Sequence, residues 1–166
     1  MYKYFLFFIY LLSLSAQEPT LAKLLTSNTN EFQRFSIANT SFICRPYGVL
    51  SLDQLYKQSS LKSQCKEKIQ SYYLANPQDY YFLQNLLKRG QWYHIEFKKE
   101  SCVVYAKGQY SISELLLLRG LAVRKPNFRD LEFKASFYKA QKIARAKKVG
   151  IWKDEIVKSC LDEMYK

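Results

Sequence analysis

The side chains able to do chemistry in this sequence are mostly cations. Lys98 and Lys99 are adjacent, Lys107 follows, and Arg124-Lys125 form a second pair, while Arg45 stands alone near the end of a strand-like run. Lysines and arginines total 26 against 14 acids, a net charge of +12. A balance this basic suits polyanions such as nucleic acid, an anionic membrane or an acidic polysaccharide. Lys98, Lys99, Lys107, Arg124 and Lys125 would form a positive rim, or else a solvated face. Arg45 would hold a phosphate or close a surface ion pair. Tyr47, Tyr93, Tyr105 and Tyr110 offer base-stacking faces or core packing. The one histidine, His94, alternates with Glu96 on the outward side of a strand and reads as a surface residue, not a general base. Cys44, Cys65, Cys102 and Cys160 fit no zinc spacing, since no Cys-x-x-Cys occurs and His94 has no second histidine.

Local signals define the elements that must position these groups. Val103 to Ala106 is a short apolar run closed by the turn Lys107-Gly108. Ser111 and Glu114 are spaced as a capping box, and a compact helix over Ser113 to Arg119 ends at Gly120, which can take left-handed geometry. Pro126 pushes Lys125 out of helical geometry. In the long basic helix that follows, Phe133, Phe137, Ala140 and Ala144 share one face, and Lys134, Gln141, Arg145 and Lys148 another. Gly150 supplies its stop, with Ile151-Trp152 folding back as an apolar plug.

Upstream, Tyr93, Ile95 and Phe97 alternate with outward His94, Glu96 and Lys98. Asp79 caps a helix through Lys88 that turns Phe82, Leu83, Leu86 and Leu87 inward, with Gly90 as its stop. Leu52, Leu55 and Tyr56 suggest a helical turn, and Leu61 to Leu74 a further helix. Phe35 and Ile37 alternate before a hairpin turn at Asn39-Thr40, with Phe42 and Cys44 on one face of the next strand. Residues 17–30 are polar and Thr/Asn-rich and read as a lead with weak structure. Lys3, the apolar run Tyr4 to Leu12 and the small residues Ser13 to Ala16 read as an export signal over residues 1–16, cleaved after Ser15 or Ala16. The run is too short for a comfortable membrane span. An even number of cysteines in an exported chain suggests two disulfides. Three pairings are open, with Cys44–Cys65 and Cys102–Cys160 preferred.

The series Val103 to Ala106, Gly108, Glu114, Leu116, Arg119 to Ala122, Pro126, Ala140, Ala144, Lys148 and Gly150 to Trp152 resembles the C-terminal half of the staphylococcal-type thermonuclease family. The resemblance implies an α+β fold: a five-stranded barrel of the oligonucleotide/oligosaccharide-binding type with about three flanking helices. It implies a domain over residues 31–153, an enlarged segment at 46–77 where the family has a loop, and a tail at 154–166 held by Cys160.

Active members cut DNA and RNA with one calcium ion, using hard carboxylate ligands and two arginines on the phosphate. Their Asp-Gly-Asp-Thr motif has no counterpart here; Glu31 is the only carboxylate near its place. Their Arg-Leu-x-Gly-Ile-Asp-x-Pro-Glu corresponds to Arg45 through Asp53, with Leu50 at a metal-ligand position and Asp53 standing for the final Glu. Their Tyr-Gly-Arg corresponds to Phe97-Lys98-Lys99, with Lys99 replacing an arginine but lacking its bidentate fork.

The N-terminal signal implies an exported, periplasmic or secreted protein. The resemblance implies that it binds nucleic acid through Arg45, Lys98, Lys99, Lys107, Arg124 and Lys125, with ordinary calcium-dependent hydrolysis lost. One alternative is an active nuclease in which Arg45, Asp53 and Lys99 act in catalysis and Glu31 and Asp53 hold calcium or another divalent ion. Another is a non-catalytic module that contacts a protein partner through the 46–77 segment.

Overall fold

The computed structural model describes residues 19–59 and 63–153, together with Ile156 and Cys160; the Lys107 side chain is excluded. The export signal read at 1–16 and most of the 154–166 tail lie outside the described residues.

The first strand, β1 (Thr20–Thr26), sits mid-sheet. It pairs antiparallel with β2 (Gln33–Ile37) on one side and with β5 (Trp92–Lys98) on the other. Ala22 and Leu24 are buried while Leu21 and Lys23 face out, the alternation of a half-buried strand. This overturns the reading of residues 17–30 as a weakly structured lead. Leu25 blurs the period-two pattern, and long-range pairing supplies what the local sequence does not. A turn at Ala38-Asn39, with Ala38 at φ 51°, leads to β3 (Thr40–Cys44), so Thr40 already pairs with Ile37. β5 turns back through Lys99, at φ 53°, into β6 (Ser101–Lys107), and β7 (Tyr110–Ser111) adds the far edge. The order of this six-stranded antiparallel sheet is β3-β2-β1-β5-β6-β7. A separate antiparallel pair joins β4 (Val49–Ser51) to β8 (Ala122–Arg124). The described strands thus form an open six-stranded sheet and a two-stranded one rather than a closed five-stranded barrel. Just past β3 the chain does reach β6. The Cys102 N–H donates to the Arg45 carbonyl at 2.9 Å, and the Tyr47 N–H to the Cys102 carbonyl at 3.1 Å.

That contact explains one disulfide. Cys44 bonds to Cys102, their Cα atoms 5.4 Å apart, because the end of β3 lies against β6. Cys65, in the first turn of α2 (Gln64–Ala75), bonds to Cys160 with Cα atoms 4.6 Å apart. The preferred pairing of Cys44 with Cys65 and Cys102 with Cys160 is therefore corrected: proximity in the fold, not in sequence, chooses the partners.

The other helices begin where their caps dictate. Ser51 and Gln54 form a capping box on α1 (Leu52–Gln58), and Ser63 caps α2. Pro77 opens the short α3 (Pro77–Tyr80), which precedes α4 (Phe82–Leu86). Asp79 is not the cap expected of it. It is buried inside α3, accepting from the Tyr72 hydroxyl and from Arg119 Nε at 2.9 Å. The Ser111–Glu114 capping box starts α5 (Ile112–Arg119), and Gly120 ends it at φ 71°. Asp130 caps α6 (Leu131–Ala146), whose Phe133, Phe137, Ala140 and Ala144 are buried.

α6 stops before Gly150, with Lys148 taking a left-handed φ of 49°. Gly150 instead serves a close approach. A Cβ there would meet the Gly120 carbonyl oxygen at 2.3 Å, and one on Gly120 would meet Val149 O at 2.3 Å. The Ile151 N–H donates to that same Gly120 carbonyl, and Ile151 is buried as the plug.

Candidate nucleic-acid interface

Beside the β4–β8 pair lies a groove to which β4 contributes Leu50. The Lys125 N–H donates to the Gly48 carbonyl at 3.0 Å, tying the loop after Arg45 to the loop after β8. Gly48, at φ 70°, lies so close to Phe128 that an added Cβ would meet its ring at 2.4 Å. The Tyr47 hydroxyl donates to Asp130 Oδ2 at 2.8 Å. Burial and then the Asp130 carboxylate push the Tyr47 phenol up to about 12, so it stays a neutral donor. The groove, of about 520 Å³, is lined by Tyr47, Leu50, Lys125, Phe128, Arg129 and Asp130. Leu50 lines it with a hydrocarbon side chain, which cannot coordinate an ion. Among the described residues no group of three or more metal-binding side chains converges anywhere.

A smaller notch of about 150 Å³ adjoins the groove through Lys125 and is also lined by Arg124, Gln141, Arg145 and Trp152. The Arg124 guanidinium lies 5.6 Å from the Tyr138 ring centre and that of Arg145 4.6 Å from Trp152. Cation–π contact holds these guanidinium groups near the rings without neutralising them. Arg124, Lys125, Arg129 and Arg145 have no acidic partner within ion-pair distance among the described residues. Two of the four, Arg129 and Arg145, were not singled out from the sequence. Arg145 falls on the basic face of α6, where only the fold distinguishes it from solvated lysines.

Lys98 does not join this patch. Its ammonium lies 3.2 Å from Glu132 Oε2, 3.5 Å from Glu96 Oε2 and 5.2 Å from the Phe133 ring centre. Burial pulls its pKa down, but the Glu132 hydrogen bond and the charges of Glu132, Glu96 and Asp130 outweigh that and raise it. Lys98 is therefore neutralised by acids rather than free for phosphate. Glu96 is likewise not outward: it is buried and accepts from the Tyr105 hydroxyl at 2.5 Å. Burial and the Glu96 bond hold the Tyr105 phenol well above its ordinary value. Lys99 is exposed at the β5–β6 turn, and Arg45 is exposed past β3 with no ion pair among the described residues. The Lys107 side chain lies outside the described residues.

The carboxylates lie elsewhere. Asp53, in the first turn of α1, is 7% exposed. Its oxygens accept from the Asn30 N–H at 2.7 Å and the Tyr73 hydroxyl at 2.8 Å. Burial, aided by the charge of Glu31, raises its pKa despite those two bonds and Lys57. Glu31 is ion-paired with Lys57. Glu31 and Asp53 are thus brought together, but neither bonds to Arg45 or Lys99. The cleft Asp53 lines shares no residue with the groove or the notch. The organiser of this region, fully buried Asn30, was not legible as such. Its Nδ2 donates to the Asp79 and Tyr80 carbonyls at 2.8 and 3.2 Å, and its Oδ1 accepts from the Leu83 N–H at 3.0 Å.

A model of the staphylococcal nuclease homologue family matches residues 62–154, more than half of the chain. The chain belongs to that family. The matched span holds Lys98, Lys99, Lys107, Arg124 and Lys125 but leaves Glu31, Arg45 and Asp53 outside it. No curated protein matches the chain.

Proposed function

We propose that this protein binds nucleic acid along the β4–β8 groove and its adjoining notch without calcium-dependent hydrolysis. The observation that carries the reading is the set of four cations, Arg124, Lys125, Arg129 and Arg145, left without acidic partners among the described residues along the groove and its notch. The register that sets Leu50 at the family's metal-ligand position supports the loss of hydrolysis. Arg45 and Lys99 extend the contact, and stacked Arg124 and Arg145 present planar donors to phosphate oxygens. The near-closure of the sheet between β3 and β6 supports a distorted barrel of the oligonucleotide-binding type. The disulfides suit an exported protein in an oxidising compartment. No helix among the described residues is long and apolar enough to cross a membrane.

The test is binding and cleavage by the purified, oxidised chain. Single-stranded DNA, duplex DNA and RNA are each tried with calcium, magnesium, manganese or chelator. Four phosphate contacts predict an affinity for single strands falling roughly fiftyfold between about 50 and 200 mM salt. No binding at low salt would remove the reading. Metal-dependent cleavage lost in Arg45→Ala would establish the enzyme instead, and its loss also in Asp53→Asn would make Glu31 and Asp53 the candidate ion ligands.

A further inference from the structure

The cleft that holds Asp53 is built from tyrosines on the α1–α3 segment. Tyr56 lies on α1, Tyr73 on α2, Tyr80 at the end of α3 and Tyr81 just after it. Tyr73 and Tyr80 have ring centres 5.1 Å apart at 81°, and Tyr80 and Tyr81 4.8 Å apart at 87°. Successive rings at right angles are two corners of a box. Tyr80 and Tyr81 are 36% and 46% exposed, so the box opens to solvent. At about 480 Å³ the cleft is large enough for a small molecule.

The charge around it is net anionic: Glu31 and Asp53 share one ammonium, that of Lys57, which is paired with Glu31 and itself lines the cleft. Both oxygens of Asp53 are met by neutral donors, the Asn30 N–H and the Tyr73 hydroxyl. The two carboxylates thus outnumber the one cation. A phosphate would be repelled here, and a strongly hydrated primary ammonium would find few acceptors among the rings. An alkylated ammonium pays little desolvation and is attracted both to ring faces and to the carboxylate. The chain uses the same attraction nearby, where the Lys66 ammonium lies 4.7 Å from the Tyr56 ring centre.

We propose that the cleft of Tyr73, Tyr80 and Tyr81 binds a quaternary or methylated ammonium group, with Asp53 as its counter-ion. The ligand class is a choline-like headgroup or methylated amine, distinct from the polyanion of the basic groove.

The experiment titrates the full oxidised chain with choline and with 3,3-dimethylbutan-1-ol, its uncharged isostere, by calorimetry and NMR. Adenosine monophosphate serves as a base-stacking control. Choline should bind saturably and at least about tenfold more tightly than the alcohol. Asp53→Asn should weaken choline about tenfold and leave the alcohol unchanged. Because Asp53 carries two buried hydrogen bonds, Tyr81→Leu is the second variant: it keeps an apolar wall on a half-exposed residue, removes one π face, and should also weaken choline. Equal binding of choline and the alcohol, absence of saturable choline binding, undiminished choline binding in Tyr81→Leu, or preference for the nucleotide would each overturn the proposal.

Discussion

The basic groove and the tyrosine cleft draw lining residues from positions only three apart in the chain. Leu50 lines one and Asp53 the other. Between them Ser51 ends β4 and caps α1, so the backbone changes from strand to helix and the two side chains enter different pockets. A metal-assisted phosphodiesterase needs carboxylates and cations on one phosphate. Here the cations gather around the β8–α6 loop and the notch, whereas the paired carboxylates gather around Asn30. The separation teaches that membership of a nuclease family fixes the scaffold and not the convergence of charges on which catalysis depends.

The largest expected effect comes from removing the staple on the cleft side. Cys65→Ala with Cys160→Ala opens a cross-link spanning 95 residues, and should lower unfolding free energy by about 4 kcal/mol in urea titration. Below its melting temperature this variant should keep nucleic-acid binding and lose ligand binding in the cleft. Loss of both together would break the contrast between the two regions.

Next in size is the groove itself. Alanine at Arg124, Lys125, Arg129 and Arg145 together should weaken single-stranded DNA roughly a hundredfold at low salt, and flatten the log–log salt slope by about 3. Tyr81→Leu should leave that slope unchanged. Leu50→Asp adds one negative charge to the groove. It should weaken DNA binding several-fold, on the order of one lost contact, and create no calcium-dependent cleavage, since Asp53 lines a different pocket, Glu31 is paired with Lys57, and Asp130, the carboxylate already in the groove, accepts from the Tyr47 hydroxyl. Cleavage by that single variant would show that the two regions communicate more closely than their linings indicate.

The smallest effect is a pH dependence. The Asp53 pKa in the fold lies above its ordinary 3.8, so its ionised form opposes folding at neutral pH. That penalty is relieved as pH falls through the folded pKa toward 3.8. Wild-type stability relative to Asp53→Asn should therefore improve on acidification, read as the difference between their urea midpoints. A difference that shrinks or stays flat would place Asp53 in a more polar setting than its burial implies.

What the sequence disclosed follows from range. Ser111 with Glu114, Gly120, and the Phe133–Phe137–Ala140–Ala144 face lie within a few turns of one another, and all of them hold in the structure. The helical patches at Leu52–Tyr56 and Leu61–Leu74 likewise correspond to α1 and α2. β1 was hidden because its pairing partners lie about ten and seventy residues away. Lys98 and Glu96 appeared outward by alternation, yet the Tyr105 hydroxyl bonds to Glu96 and the start of α6 brings Glu132 and Phe133 to Lys98, which no local pattern encodes. Asp79 looked like a cap until Arg119, forty residues on, claimed it. The free cations were half legible: Arg124 and Lys125 stand out as a pair, but Arg129 and Arg145 gain meaning only once the loop and helix close around Trp152.

The disulfides carry a further consequence for survival in a protease-rich setting. Bonds from Cys44 to Cys102 and from Cys65 to Cys160 overlap in sequence, so they close two covalent rings that share the segment 65–102. A single backbone scission anywhere between Cys44 and Cys160 crosses at least one ring, and the fragments remain joined. The exposed Lys88-Arg89-Gly90 loop lies inside both. Tryptic nicking there should leave one band without reductant and two with it, whereas linking Cys44 to Cys65 and Cys102 to Cys160 would have let the halves drift apart.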